Sequence, residues 1–197
     1  MTDDQIIRKI AVIFVTDVVG FSTLMEKNEN TTLKSLRACR NIMEQLFKEY
    51  DARIFNTAGD SVLAEFQSAV GAVVCATEFQ KMIRKRNLTV PKESKMQFRI
   101  GLNVGDVIVE GTNLYGEGVN NAARLEVLSQ PGGVSLSETI YDFANKKVEL
   151  EFNDLGTQKV KNTVLRAYDI ILDGLETRVL GSSNETVEVA ESKPPTI

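Results

Sequence analysis

The chain has no histidine and no tryptophan, and only two cysteines and four prolines in 197 residues. Without histidine it lacks the usual neutral-pH general base and any Ser-His or Cys-His nucleophile pair. Catalysis must then rest on carboxylates, amides, cations and bound metal. The cysteines, Cys39 and Cys75, fall on the apolar faces of helix-like stretches, so buried thiols are expected rather than a disulfide or zinc site. No apolar run approaches the ~20 residues that span a bilayer. The opening MetThrAspAspGlnIle also lacks the basic start and apolar core of a signal peptide. A cytoplasmic protein with no membrane partner is expected. The net charge of −4 argues against a nucleic-acid footprint, and leaves room for a small anionic ligand held by a few local cations.

What is present is ordinary for one compact domain: 43% apolar and 25% charged residues. Residues 9 to 16 form a continuous apolar run, as a central strand does. From 31 to about 50, Leu36, Cys39, Met43, Leu46, Phe47 and Tyr50 recur at helical spacing. Short β runs at 53 to 56 and 61 to 66 meet at Ala58-Gly59-Asp60 as a hairpin. A second helix carries Ala69, Val70, Val73, Ala76, Phe79 and Ile83 on one face, and a polar linker follows around 87 to 95. Residues 98 to 104 and 107 to 109 read as another hairpin turning at Gly105 and Asp106. A helix from about 117 to 128 stops at GlnProGlyGly. Runs at 134 to 136, 148 to 152 and 166 to 172 read as strands. The leading order β-α-β-β-α-β is that of a ferredoxin-like split unit, so the expected class is α+β with strands and helices added C-terminally. The domain is expected over 1–173, and a mobile tail over 174–197.

Asp17 and Asp60 each sit where an apolar strand-like run breaks near a glycine. If the run ending at Asp17 lies beside the hairpin that turns at Asp60, two carboxylates meet at one sheet edge, as hard divalent cations require. Either Asp alone is as well explained as a turn former. The segment ValValGlyPheSer, with Val19, Gly20, Phe21 and Ser22, opens into a helix whose free N–H groups favour phosphate oxygens. Asn120 and Arg124, four apart, share a helix face; on spacing alone they read as an exposed polar face with Arg124 paired to Glu117 or Glu126.

Four segments in order carry a resemblance: ThrAspValValGlyPheSer at 16–22, AlaGlyAspSerValLeuAlaGluPhe at 58–66, TyrGlyGluGlyValAsnAsnAlaAlaArgLeuGlu at 115–126 and LeuGlyThrGlnLysValLysAsn at 155–162. With these the chain resembles the class III nucleotidyl cyclases over roughly residues 9 to 172. The resemblance implies cyclisation of a nucleoside triphosphate to its 3′,5′-cyclic monophosphate with release of pyrophosphate. It implies two divalent cations, Mn²⁺ or Mg²⁺, held by Asp17, Asp60 and the carbonyl of Val18. Asn120 would position the ribose, Arg124 would steady the α-phosphate, and Lys161 would hold the terminal phosphates, with Lys159 as the nearby alternative. A homodimer with active sites across its interface is implied as well, because similar cyclases draw the aspartates from one subunit and the other residues from its partner.

The departures from the family pattern concern the base. The positions that carry a lysine and an aspartate in adenylate cyclases are Asn56 and Asn113. Two amides, each a donor and an acceptor, match a uracil or cytosine edge. No attached sensor domain is expected in a chain of this length, and stand-alone cyclases that it resembles include the pyrimidine cyclases of bacterial antiphage systems. UTP, then CTP, is the expected substrate, the product being read in antiviral defence by a separate effector. The alternatives are an adenylate or guanylate cyclase and a catalytically silent nucleotide-binding regulatory domain.

Overall fold

The structure, a computed structural model, describes residues 6–181. Its sheet grows around β1 (Ile7–Val18), whose residues from Ala11 onward are almost all buried. The run is apolar on both faces because both are covered. Phe14 and Val18 face α2 (Glu29–Glu49) and α3 (Ala69–Thr89), with Phe47 and Phe66 ring-packed on Phe14. Ala11, Ile13 and Val15 face the opposite side, against Val119 and Ala122 of α4 (Glu117–Leu128). β2 (Arg53–Ala58) and β3 (Ser61–Phe66) form the expected hairpin, and β3 runs antiparallel to β1.

β4 (Phe98–Glu110) pairs with β1 along its whole length, from Val18↔Phe98 to Ile7↔Val109. The order β2-β3-β1-β4 is that of the expected ferredoxin-like core, extended by β6 (Val134–Ser137), β8 (Thr163–Ile170) and β7 (Phe152–Val160). α1 (Phe21–Lys27), α5 (Glu138–Ala144) and a 3-10 turn at Lys92–Ser94 complete the chain. Cys39 and Cys75 are free and buried, and burial, with Glu78 and Glu49 nearby, pushes the Cys75 thiol up to about 12.

Three sequence expectations change. No hairpin turns at Gly105 and Asp106, because the strand runs straight through, Gly105 lying opposite Ala11 and Asp106 opposite Ile10. Gly105 serves packing instead: a Cβ there would lie 2.9 Å from Cα of Gly118 on α4. The real turn comes later, at Gly111 (φ +60), and leads into β5 (Asn113–Tyr115). The strand expected at 148 to 152 begins only at Phe152. Eight residues of the expected tail, 174–181, are described, and they lie against the domain. Arg178 donates to both oxygens of Asp169 (2.7 and 2.9 Å) and to the carbonyl of Leu128 (2.8 Å), while Leu175 packs on the core. The other residues of that expected tail, 182–197, lie outside the described residues.

Candidate active site

Asp17 is the last but one residue of β1, and Asp60 lies in the β2–β3 turn. Because β3 pairs with β1, that turn folds over the end of β1, and Oδ2 of Asp60 accepts the Val18 N–H at 2.8 Å. The two carboxylates therefore share one sheet edge, as the sequence predicts. Burial and then the charge of Asp17 raise the Asp60 pKa against the opposing Val18 N–H. Arg40 of α2 donates to the carbonyl of Gly59 in the same turn.

Two further residues occupy the site. Arg99 on β4 stands directly across from Asp17 in the register. Its Nε and Nη2 approach Oδ1 and Oδ2 of Asp17 at 3.4 and 3.2 Å. Glu126 on α4 is almost fully buried, with Oε1 3.2 Å from Nε of Arg99. That oxygen lies off the N–H direction and accepts no hydrogen bond. Burial, a hydrogen bond with Asp17 and the charges of Asp17 and Asp60 push Glu126 up to about 9. Sequence reasoning missed Arg99: the available signal was a lone arginine in an otherwise apolar strand run, and its place opposite Asp17 comes only from the register. Glu126 was read only as a surface partner of Arg124; in the structure it faces Arg99, and Arg124 donates to Asn121 (2.8 Å).

Glycine brings α4 so close. A Cβ on Gly101 would sit 2.1 Å from the carbonyl oxygen of Ala122 and 2.2 Å from the Glu126 nitrogen, so helix and strand touch backbone to backbone. Gly118, Ala122 and Glu126 form the face of α4 toward β4, and all three are buried. Asn120 is exposed and Arg124 half-buried on other faces. Among the described residues, no hydrogen bond or ion pair joins Asn120, Arg124 or Lys161 to Asp17 or Asp60. Lys161 sits at the tip of the β7–β8 hairpin with φ +54, three to four strand positions from β1, or roughly 14–19 Å at ~4.8 Å per strand.

Gly20 caps α1 in the left-handed conformation, with φ 66, and a Cβ there would meet nothing within 4 Å. The Val19 N–H is held by the Gln97 carbonyl at 2.9 Å, so it is not free for a ligand. Phe21 packs on the core, and Ser22 is exposed. In the same hairpin as Asp60, Asn56 is exposed on the edge strand β2. Asn113 is tied up locally: its Nδ2 donates to the Tyr115 hydroxyl (2.8 Å) and its Oδ1 accepts from Leu114 N–H (2.9 Å).

The donor set suits a hard divalent cation. Asp17 and Asp60 bring two carboxylates to one strand end, and Glu126 adds a buried carboxyl beside Arg99 whose Oε1 accepts no hydrogen bond; among the described residues no three such side chains are grouped as a ready-made metal site, so the two aspartates are the donors on offer.

The family model for the adenylate and guanylate cyclase catalytic domain matches residues 3–172. The chain is 40% identical over 163 residues to a putative adenylate cyclase 3 of Rhizobium meliloti, a match covering 82% of this chain and 28% of that protein. The chain thus spans under a third of that relative's length. The solved structure of an adenylate/guanylate cyclase/hydrolase from Silicibacter pomeroyi superposes with a TM-score of 0.79 at 35% identity, over 85% of this chain and 99% of that one. The guanylate cyclase domain of RhGC from Catenaria anguillulae, solved with GTP, shares the fold: TM-score 0.71, 22% identity, over 84% of this chain and 98% of that one.

Proposed function

Because this chain belongs to the adenylate and guanylate cyclase catalytic-domain family, we propose that it converts ATP to 3′,5′-cyclic AMP and pyrophosphate. The observation that carries the proposal is the pair Asp17 and Asp60 at one strand end, with more carboxylate than Arg99 can neutralise. Asp17, Asp60 and the Val18 carbonyl would hold the divalent ions. Such ions, when bound, lower the pKa of a ribose hydroxyl and neutralise phosphate charge. The ribose 3′-oxygen forms the new bond to the α-phosphorus, the bond to the bridging oxygen breaks, and pyrophosphate leaves. The hydroxyl proton leaves to solvent water or with the departing pyrophosphate, so no histidine is needed to take it.

Asn120, Arg124 and Lys161 have the chemistry to orient the ribose and to hold the α- and terminal phosphates, Arg124 through its permanently charged planar fork. Lys161 lies three to four strands from Asp17, and Asn120 and Arg124 lie off the α4 face that carries Glu126 into the site; this supports a homodimer in which each site takes its aspartates from one copy and these three residues from the other.

The pyrimidine reading rested on two free amides, and Asn113 uses its amide within β5. The named relatives are adenylate and guanylate cyclases, which favours a purine over the pyrimidine product of antiphage defence. The test is to incubate the protein with equal ATP, GTP, CTP and UTP plus Mn²⁺ and to identify the cyclic product by mass. Cyclic AMP is expected. Cyclic UMP or CMP would overturn the base assignment, and no cyclic product with Mn²⁺, or with Mg²⁺ in its place, would leave a silent nucleotide-binding domain.

A further inference from the structure

We propose that the cavity between α3 and residues 172–175 binds a small acyl anion, an aliphatic chain ending in a carboxylate. It encloses about 490 Å³, within the ~300–1,000 Å³ usual for small-molecule sites. Its apolar lining is aliphatic throughout: Ile83, Leu88, Met96, Leu172 and Leu175. Lys81, Arg84 and Lys85 are exposed among its lining residues, the Arg84 guanidinium lying against Gly174, and none of the three has a hydrogen bond or ion pair among the described residues. Asp173 is the one carboxylate on the lining.

Charge in this region runs against the rest of the chain. Residues 81 to 95 hold Lys81, Arg84, Lys85, Arg86, Lys92 and Lys95 against Glu93 alone, in a protein of net charge −4. Unpaired cations over an aliphatic floor complement a ligand with an apolar body and an anionic head. A nucleotide fits less well, because no aromatic ring lines the cavity to stack a base. The amides of Gln80 and Asn87 are also committed to the backbone at Phe98, Gly133 and Met96.

The cavity backs on to the active site. Gln97, the residue before β4, forms part of its wall; its carbonyl accepts the N–H of Val19, two residues after Asp17, and Arg99 follows two residues later on β4. An occupant pressing on Met96 and Gln97 therefore bears on the turn that follows Asp17.

The chain has no tryptophan, so Leu88→Trp places a single fluorescent reporter on the rim. Dodecanoate, kept below its micelle concentration, is expected to change that emission saturably. Adding Lys81→Glu and Arg84→Glu is expected to weaken its binding at least about tenfold. Absence of a saturable change, or equal affinity in the charge-reversed protein, would overturn the site; so would AMP binding in preference to dodecanoate. These readouts need no turnover, so they stand apart from the cyclase assignment. Dodecanoate is also expected to alter the cyclisation rate of the unmutated chain but not of the charge-reversed one, and equal rates would overturn the coupling through Gln97.

Discussion

Arg99 is divided between two carboxylates, and its contacts of 3.2–3.4 Å are long for charge-assisted pairs, which usually close to about 2.7–2.9 Å. A cation arriving at Asp17 competes with a partner that is only loosely held. Asp17→Asn and Asp60→Asn each remove one charge from the proposed metal pair without changing side-chain size. Turnover should fall about a thousandfold or more in each, with the circular dichroism spectrum unchanged; wild-type rates in either variant would remove the two-metal mechanism. Glu126 reaches the same site through Arg99 and Asp17, so Glu126→Leu is expected to cost about 10–100-fold in Mn²⁺ affinity, read from the free-ion paramagnetic resonance signal. Glu65 gives a separate test, of stability. Burial raises its pKa, but Lys9 and Arg53 more than offset that, and the folded pKa ends lower than usual. The pairing therefore stabilises the fold above the unfolded carboxylate's pKa of about 4.3, and that stability is lost as pH falls through the lower folded value. Between pH 6 and pH 3 the Tm should drop less in Glu65→Gln than in the parent; equal drops would mean that Glu65 contributes nothing to acid unfolding.

At the scale of elements, the seating of α4 on β4 depends on Gly101 and Gly105, where side chains have no room. Gly101→Ala must push helix and strand apart, and overpacking of this kind costs about 1–3 kcal/mol or more. A lowered Tm together with weakened metal binding is expected, because Glu126 moves with the helix; an unchanged Tm would show that the close contact is not needed. The same glycines explain where the sequence misled. Gly105 beside Asp106 has the composition of a turn, and nothing local distinguishes a turn glycine from one kept bare for a helix packed above it. Asp17 and Asp60 were legible because strand, turn and hairpin are short-range features. Arg99 and Glu126 acquire their roles only from register and helix packing, which bring together residues 27 positions apart in the chain. Val19 was assigned to substrate by its motif, but strand pairing gives its N–H to Gln97.

At the scale of the whole molecule, the order β2-β3-β1-β4-β6-β8-β7 places the aspartates near one side of the sheet and the Lys161 hairpin at the other edge. The four motifs could be read in sequence, whereas the remoteness of the fourth from Asp17 and Asp60 required the topology. In the proposed homodimer each copy supplies two partial sets of residues, and a two-fold pairing that sets the aspartates of one copy against Asn120, Arg124 and Lys161 of the other would complete two sites at once. A chain carrying Asp17→Ala spoils only the site that uses its aspartates, and a chain carrying Arg124→Ala spoils only the site that uses its arginine. In the heterodimer of these two inactive chains both lesions fall in one site, and the other site is intact. Random mixing makes half of the dimers heterodimers, each with one working site of two, so the mixture should recover about a quarter of the parent activity. Native mass spectrometry of the mixture would establish that subunits have exchanged. No recovery after demonstrated exchange would mean that each chain builds its site alone, and the dimer proposal would fall with it.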